Sequence, residues 1–158
     1  MMAGRLRAAF VAATATWAVL LVATPWLASR PHASPLASTL IVAVYGLGSL
    51  ICHQRPERSY HLWAAQMPVC ARCAGIYFGA VIGAAFALAA SASLRRDRVW
   101  TARSRVLLAL AVAPTVATLV YEWTTGDMPA HAIRAAAGAA IGLAVAWLVV
   151  AATENQVN

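Results

Sequence analysis

Apolar residues follow one another in five long stretches along this chain of 158 residues. Each stretch is about 16 to 22 residues long, and the breaks between them contain proline, glycine, arginine and histidine. A helix of about 20 apolar residues spans the hydrocarbon core of a bilayer, which is about 30 Å thick. The pattern predicts an all-α, polytopic integral membrane helical bundle with about five transmembrane helices and no β-strand. The expected spans are residues 8–29, 36–52, 74–94, 106–122 and 131–152 of a single transmembrane domain, 1–158.

The composition favours a membrane protein over a soluble one. Only 11% of the residues are charged and 62% are hydrophobic, whereas a soluble domain carries about a quarter charged residues. The twelve basic residues are all arginines, and they give a net charge of +7. They lie at the ends of the apolar stretches, where their side chains can reach lipid headgroups. We therefore expect a multi-pass protein of the cell membrane with the lipid bilayer as its partner, and we exclude nucleic acid. Six arginines fall on each side of the expected bilayer, so the positive-inside rule does not orient the protein.

The first apolar stretch has an alternative interpretation. A short basic segment precedes residues 8–29, as in a cleaved signal peptide. The apolar run is long for a signal peptide, and no clear cleavage site of small residues follows it. These features favour a membrane span.

Glycines recur every four residues in the third and fifth stretches. Small residues at this spacing share one helix face and let two helix backbones approach closely. We expect these faces to be contact surfaces, either between helices of one chain or with a second copy in a homo-oligomer or another membrane partner. The glycines are Gly75, Gly79, Gly83, Gly138 and Gly142.

The candidate chemistry is concentrated between the second and third stretches. All three cysteines lie there: Cys52 is followed by His53 at the end of the second stretch, and Cys70 and Cys73 precede the third. A CxxC pair with a second Cys/His pair at loop distance supplies three cysteines and one histidine, a common ligand set for structural zinc. The sequence therefore predicts that these four residues bind one metal ion, zinc or another transition metal.

Other roles stay open for the cysteines. Cys70 and Cys73 are expected near a helix N-terminus with Arg72 between them, an environment that favours thiolates and suits thiol–disulfide exchange. The chain would then be a membrane oxidoreductase. Free cysteines are also commonly small buried hydrophobic residues without chemistry, and the protein would then be a structural or assembly subunit of a membrane complex.

Counting the spans places further polar residues on the membrane face of the cysteines. The fourth stretch returns to this face at Glu122, and the fifth leaves it at His131, with Arg134 one turn inside. A charge at that depth needs a partner, so we expect Arg134 to pair with Glu122. This pair either borders the cysteines, together with His131, or forms a separate salt bridge within its own hairpin. The remaining polar candidates on this face are Gln54, Arg55, Glu57, Arg58 and Arg72.

The charged residues of the loop after Cys52 have two interpretations. Arg55, Glu57 and Arg58 form either a solvated loop or a group at the mouth of the site that binds an anion, a lipid headgroup or each other. Exposed ion pairs usually contribute little to stability, so the first interpretation is the default.

Two motifs carry a resemblance to a known family. The sequences are CHQRPERS at 52–59 and PVCARCAGIYFG at 68–79. They resemble the small predicted membrane proteins grouped as domain of unknown function 2085. The resemblance is close across residues 52–83. It implies a multi-pass membrane protein with a Cys/His motif, and it brings no established function with it.

The resemblance continues more loosely through Glu122, Arg134 and the glycines of the fifth stretch. This chain departs from the family pattern at three positions. Ala74 stands where the family often has threonine, Thr118 where it has an acidic residue, and His131 where it has asparagine. An activity that depends on the acid of the fourth helix would therefore be in doubt here.

Overall fold

A computed structural model describes residues 2–89 and 98–154 of the chain. The described part contains five α-helices and one two-stranded antiparallel sheet. The end of the expected third span and the first residues of the arginine-rich connector fall within residues 90–97, outside the described residues. Most of the polar tail, residues 155–158, also lies outside them. The elements are α1 (Met2–Ala28), α2 (Pro35–Ile51), a 3₁₀ turn (Pro56–Arg58), β1 (Ser59–Leu62), β2 (Ala65–Cys70), α3 (Ala71–Ala89), α4 (Arg98–Thr125) and α5 (His131–Glu154).

The helices form an all-α membrane bundle, which confirms the predicted fold class. Four of them, α1, α3, α4 and α5, are long and apolar enough to cross a membrane. The helix α2 is also apolar and has 17 residues, about 25 Å at 1.5 Å per residue. It is therefore a shorter candidate span.

The connection between α2 and α3 contains a β-hairpin, so the prediction of no β-strand is wrong. β1 and β2 pair antiparallel, with His61 opposite Gln66 and Leu62 opposite Ala65. The turn between them consists of Trp63 and Ala64, whose φ angles of 51° and 63° are both positive, as a two-residue hairpin turn of type I′ requires. The usual asparagine and glycine are absent from this turn, and the strands are too short to show a clear alternation.

Two helix boundaries differ from the expected ones in a way that affects the site. α3 begins at Ala71 instead of residue 74, so Arg72 and Cys73 lie in its first turn and not in the preceding loop. α4 continues to Thr125, and Glu122 therefore lies inside the helix, about one turn before its end.

α3 and α5 pack against each other through their glycines. A side-chain carbon on any of these glycines would overlap a backbone carbonyl of the facing helix. All five glycines are buried within the chain, so the alternative of a contact between helices of one chain is present. The contacts join Gly75 to Ala135, Gly79 to Ala139, Gly83 to Leu143, Gly138 to Arg72 and Gly142 to Ile76.

A small apolar core lies where the hairpin meets α1 and α3. It is formed by buried side chains from four parts of the chain, so it fixes the end of α2 beside the strand that leads into α3. Its members are Leu21, Cys52, Met67, Val69 and Ala74.

Candidate functional site

The first cysteine is positioned by the way in which α2 ends. Cys52 follows the last residue of this helix and has an extended backbone, with φ −142° and ψ 134°. Gln54 then adopts a left-handed conformation, φ 47°, which turns the chain away from the helix axis. The Gln54 side-chain amide donates to the carbonyls of Tyr45, at 2.8 Å, and Pro68, at 2.6 Å. Gln54 therefore clamps the end of α2 to the strand β2.

This clamp brings the three cysteine sulfurs into one cluster. The Sγ atoms of Cys52, Cys70 and Cys73 all lie within 4.8 Å of one another. Around a tetrahedral zinc ion, with Zn–S bonds of about 2.3 Å, sulfurs are about 3.8 Å apart. The cluster can therefore bind one ion after a small contraction. Cys52 is buried, the other two are half-buried, and all three are free of disulfide bonds.

The surroundings of Cys70 favour its thiolate form. The backbone N–H of Cys70 donates to the Cys52 sulfur at 3.2 Å. The pKa of Cys70 is lowered from 9.0 to about 5, first because the Cys73 side chain donates a hydrogen bond to it. The backbone of Cys73, the Cys52 side chain and the charge of Arg134 lower this pKa further, against the opposing effect of burial. Cys70 is therefore a thiolate at neutral pH in the absence of metal.

The two histidines predicted on this face lie apart from the three-sulfur cluster. His53 is exposed, and it lines the same cavity as the cysteines. Its role as the fourth metal ligand stays a prediction. His131, at the start of α5, packs its ring against that of Tyr60 in the hairpin, with the ring centroids 5.4 Å apart.

One buried carboxylate is shared by three arginines. The Glu122 carboxylate lies 2.8 Å from Arg72, 3.4 Å from Arg134 and 3.8 Å from Arg58. The expected contact between Arg134 and Glu122 is present. Arg134 is only 1% exposed and Glu122 only 9%, so these charges depend on one another for their neutralisation.

Arg72 is a partner of Glu122 that the sequence pattern did not predict. The expected start of the third span left Arg72 in a loop, whereas the earlier start of α3 fixes this residue on the helix beside α5. Arg72 also donates to the hydroxyl of Thr118 at 3.1 Å. Thr118 and Glu122 are four residues apart, on one face of α4, and this spacing is the signal that could have indicated a common partner.

A cavity of about 360 Å³ joins the cysteines to the arginines. Among its described lining residues there is no carboxylate, and Glu122, the partner of three of its arginines, is not one of them. At the rim, Arg55 and Glu57 form an ion pair of 3.9 Å whose side chains are 61% and 49% exposed, a solvated pair that contributes little to stability. The lining comprises Ile51, Cys52, His53, Gln54, Arg55, Arg58, Cys70, Arg72, Cys73, Ile76 and Arg134.

Comparisons with known proteins find relatives for most of the helical bundle. A family model described as "Predicted membrane protein (DUF2085)" matches residues 52–148, more than half of the chain. An uncharacterized protein of Methanocaldococcus jannaschii is 41% identical over 59 residues, which cover 37% of this chain and 38% of that protein. An uncharacterized protein of Methanothermobacter thermautotrophicus is 53% identical over 30 residues, which cover 19% of this chain and 27% of that protein. The matches thus span well under half the length of these curated relatives. No solved structure matches the chain.

Proposed function

Because the chain belongs to the DUF2085 family of predicted membrane proteins, we propose that its characteristic motif builds a metal site at one face of the cell membrane. Cys52, Cys70 and Cys73 bind one zinc ion as thiolates, and His53 supplies the fourth ligand. The ion joins the end of α2 to the beginning of α3. With four protein ligands in place it has no open position for catalysis, so its role is to hold the loop and the hairpin in shape.

The observation that carries this proposal is the convergence of the three sulfurs. They come from the end of α2, the end of β2 and the first turn of α3, yet lie within 4.8 Å of one another. Three thiolates this close repel each other, and a divalent cation removes most of that repulsion. The neighbouring guanidinium groups offset the remaining negative charge.

The identity of the fourth ligand decides whether the site is closed. His53 lines the cavity but lies outside the sulfur cluster, so it completes the site only if its ring approaches the metal. If it does not, the fourth position faces the cavity and can hold water or another ligand, as in catalytic zinc sites.

Elemental analysis of the protein purified in detergent tests this proposal. We expect one zinc per chain in the wild type and a large loss in Cys70→Ser. His53→Ala should lower zinc affinity, while the matched control His61→Ala, an exposed histidine of β1, should not. A metal content below about 0.2 per chain that Cys70→Ser leaves unchanged would contradict a metal site.

The lowered pKa of Cys70 supports a second candidate, thiol–disulfide exchange. The Cys70 thiolate would attack a disulfide of a substrate, forming a mixed disulfide and releasing one substrate thiolate. Cys73 would then displace the second substrate thiolate, leaving a disulfide between Cys70 and Cys73 and two electrons on the substrate.

Thiol counting and a pH titration separate the two candidates. A metal site keeps all three thiols reduced and protected from alkylation, whereas an oxidoreductase shows a Cys70–Cys73 disulfide that equilibrates with glutathione. In metal-free protein the Cys70 thiolate persists as the pH falls and is lost only as the pH passes through about 5. Alkylation of Cys70 should therefore have its midpoint near that pH, well below the ordinary thiol value of about 8.5.

A further inference from the structure

We propose that the cavity beside the cysteines binds a phosphate group, carried either by the free phosphate ion or by a phospholipid headgroup. The recognition comes from arginine side chains that the metal site does not use. The proposal therefore goes beyond the metal site and holds whether or not the cysteines carry an ion.

The charge of the cavity wall is the first argument. Four arginines line it, Arg55, Arg58, Arg72 and Arg134, and no carboxylate does so among the described lining residues. Arg55 is paired with Glu57 at the rim. The other three share Glu122 alone, which leaves an excess of two positive charges.

The wall stays positive even with a divalent metal ion on the cysteines. With three thiolates and one divalent ion, the metal cluster would carry a single negative charge, less than the excess of two positive charges on the arginines. An unbalanced charge is costly in a partly buried site. A bound anion removes this cost.

Unused hydrogen-bond donors are the second argument. The Nε atoms of Arg58 and Arg72 are buried and have no hydrogen-bond partner among the described residues, although a guanidinium offers five N–H donors. Arg134 is 1% exposed and lines the cavity. It contacts the carboxylate of Glu122 and makes a long contact to the sulfur of Met128, 3.9 Å. Donors of the three arginines therefore remain for a ligand.

The arrangement of these donors suits phosphate. Arg58 comes from the 3₁₀ turn, Arg72 from α3 and Arg134 from α5, so their planar guanidinium groups approach from three elements. A tetrahedral phosphate presents several acceptor oxygens in different directions and pairs with arginine through two parallel hydrogen bonds. Glu122 pairs with all three arginines and is not among the described residues that line the cavity.

Two sources can supply this group. The cavity lies at the membrane face, and Ile51, which is 60% exposed, lines it together with Ile76. These apolar residues can contact the carbon atoms next to the headgroup of a lipid. Binding of the free phosphate ion would use the arginines alone. The experiment therefore has one arm for each source.

The first arm uses inorganic phosphate with the full chain in dodecyl maltoside, a detergent without phosphate. Calorimetric titration should show saturable binding to the wild type, about tenfold weaker in Arg58→Gln, which loses one charged bidentate partner. Arg58 is 36% exposed, so this variant should fold, and its thermal midpoint and zinc content verify that it does. The control Arg30→Gln removes an exposed arginine that stacks on Trp26 in another part of the chain, and it should bind as the wild type does.

The second arm uses native mass spectrometry of the same proteins after addition of phosphatidylglycerol. Retention of one lipid by the wild type and Arg30→Gln, with loss in Arg58→Gln, supports the proposal with a lipid as the source. Binding of inorganic phosphate with the same dependence on Arg58 supports it with the free ion as the source. Both effects should persist after the zinc is removed with a chelator.

Two results would overturn the proposal. One is binding that disappears with the chelated zinc and is equal in Arg58→Gln and wild type, because the metal would then be the binding site. The other is the absence of Arg58-dependent binding in both arms. The first result would leave the zinc proposal standing, and the second does not bear on it, so the two proposals fail separately.

Discussion

The helices α3 and α5 contact each other in two neighbouring segments, one packed through glycines and the other occupied by charged side chains. From Gly75 and Gly138 onward, glycines of both helices contact the facing backbone and no large side chain lies between them. One turn before the first glycine of each helix lie Arg72 and Arg134, two long charged side chains that share one carboxylate. On both helices, a segment with buried charges is therefore followed directly by a segment with close backbone packing.

The comparison shows that the glycine contact determines the geometry of the charged end. The carbonyl of Arg72 faces Gly138, and that of Ala135, next to Arg134, faces Gly75. Because the backbones are this close, the two arginines lie near each other and would repel without a shared anion. Glu122 on α4 is that anion. The close glycine contact therefore explains why a carboxylate is buried beside these two arginines.

The largest expected effect is that of Glu122→Gln. This change keeps the shape of the side chain but leaves Arg72 and Arg134 without their shared negative charge. Loss of one member of a buried ion pair costs about 3–5 kcal/mol, and we expect a fall of this size in the free energy of unfolding in mixed detergent. The control Glu57→Gln, at an exposed ion pair, should change it by less than about 0.5 kcal/mol. Equal effects of the two changes would contradict the buried network.

Gly79→Ala changes the glycine contact between α3 and α5. The added methyl group would overlap the backbone of Ala139, so α3 and α5 must move apart at an expected cost of about 1–3 kcal/mol. The matched control is Gly46→Ala in α2, where the new methyl group meets nothing within 4 Å, and a gain of about 0.5–1 kcal/mol is expected from helix propensity. If the glycine contact determines the position of the first turn of α3, Gly79→Ala should also move Cys73 and weaken zinc retention. Gly46→Ala should leave zinc retention unchanged.

Gln54→Ala tests the clamp between α2 and the hairpin. Its loss leaves the carbonyls of Tyr45 and Pro68 without this donor, at an expected cost of about 1–2 kcal/mol. Because the clamp holds Cys52 beside Cys70, we also expect faster alkylation of Cys52 in metal-free protein. An unchanged alkylation rate would show that the apolar core alone positions this cysteine.

The smallest expected effect is that of Thr118→Val. Arg72 loses one hydrogen-bond acceptor but keeps its ion pair with Glu122, so a loss of about 1 kcal/mol in stability is expected. Thr124→Val, an exposed threonine on the same helix that bonds only to its own helix backbone, is the control. An effect as large as that of Glu122→Gln would mean that Thr118 holds Arg72 in place more strongly than the carboxylate does.

Local composition and spacing along the chain were enough to predict several features of the protein. The long apolar runs predicted the membrane bundle, because only a helix satisfies its own backbone in lipid. The grouping of three cysteines around a loop located the candidate site, and the four-residue glycine spacing indicated two close-packing faces. The position of Arg134 one turn inside the expected fifth span required a partner, and Glu122 was the acid expected at a similar depth on that face.

Tertiary structure alone decided how these parts meet. The starting residue of α3 placed Arg72 on the helix instead of the loop and so added it to the Glu122 network. The hairpin formed around Trp63 and Ala64, whose sequence carries no turn signal, because packing against α1 and α3 outweighs local preference. The glycine faces of α3 and α5 meet each other, since which faces meet depends on how the helices are rotated about their axes. A cavity between cysteines and arginines arises from the same rotations, and no single segment of the sequence encodes them.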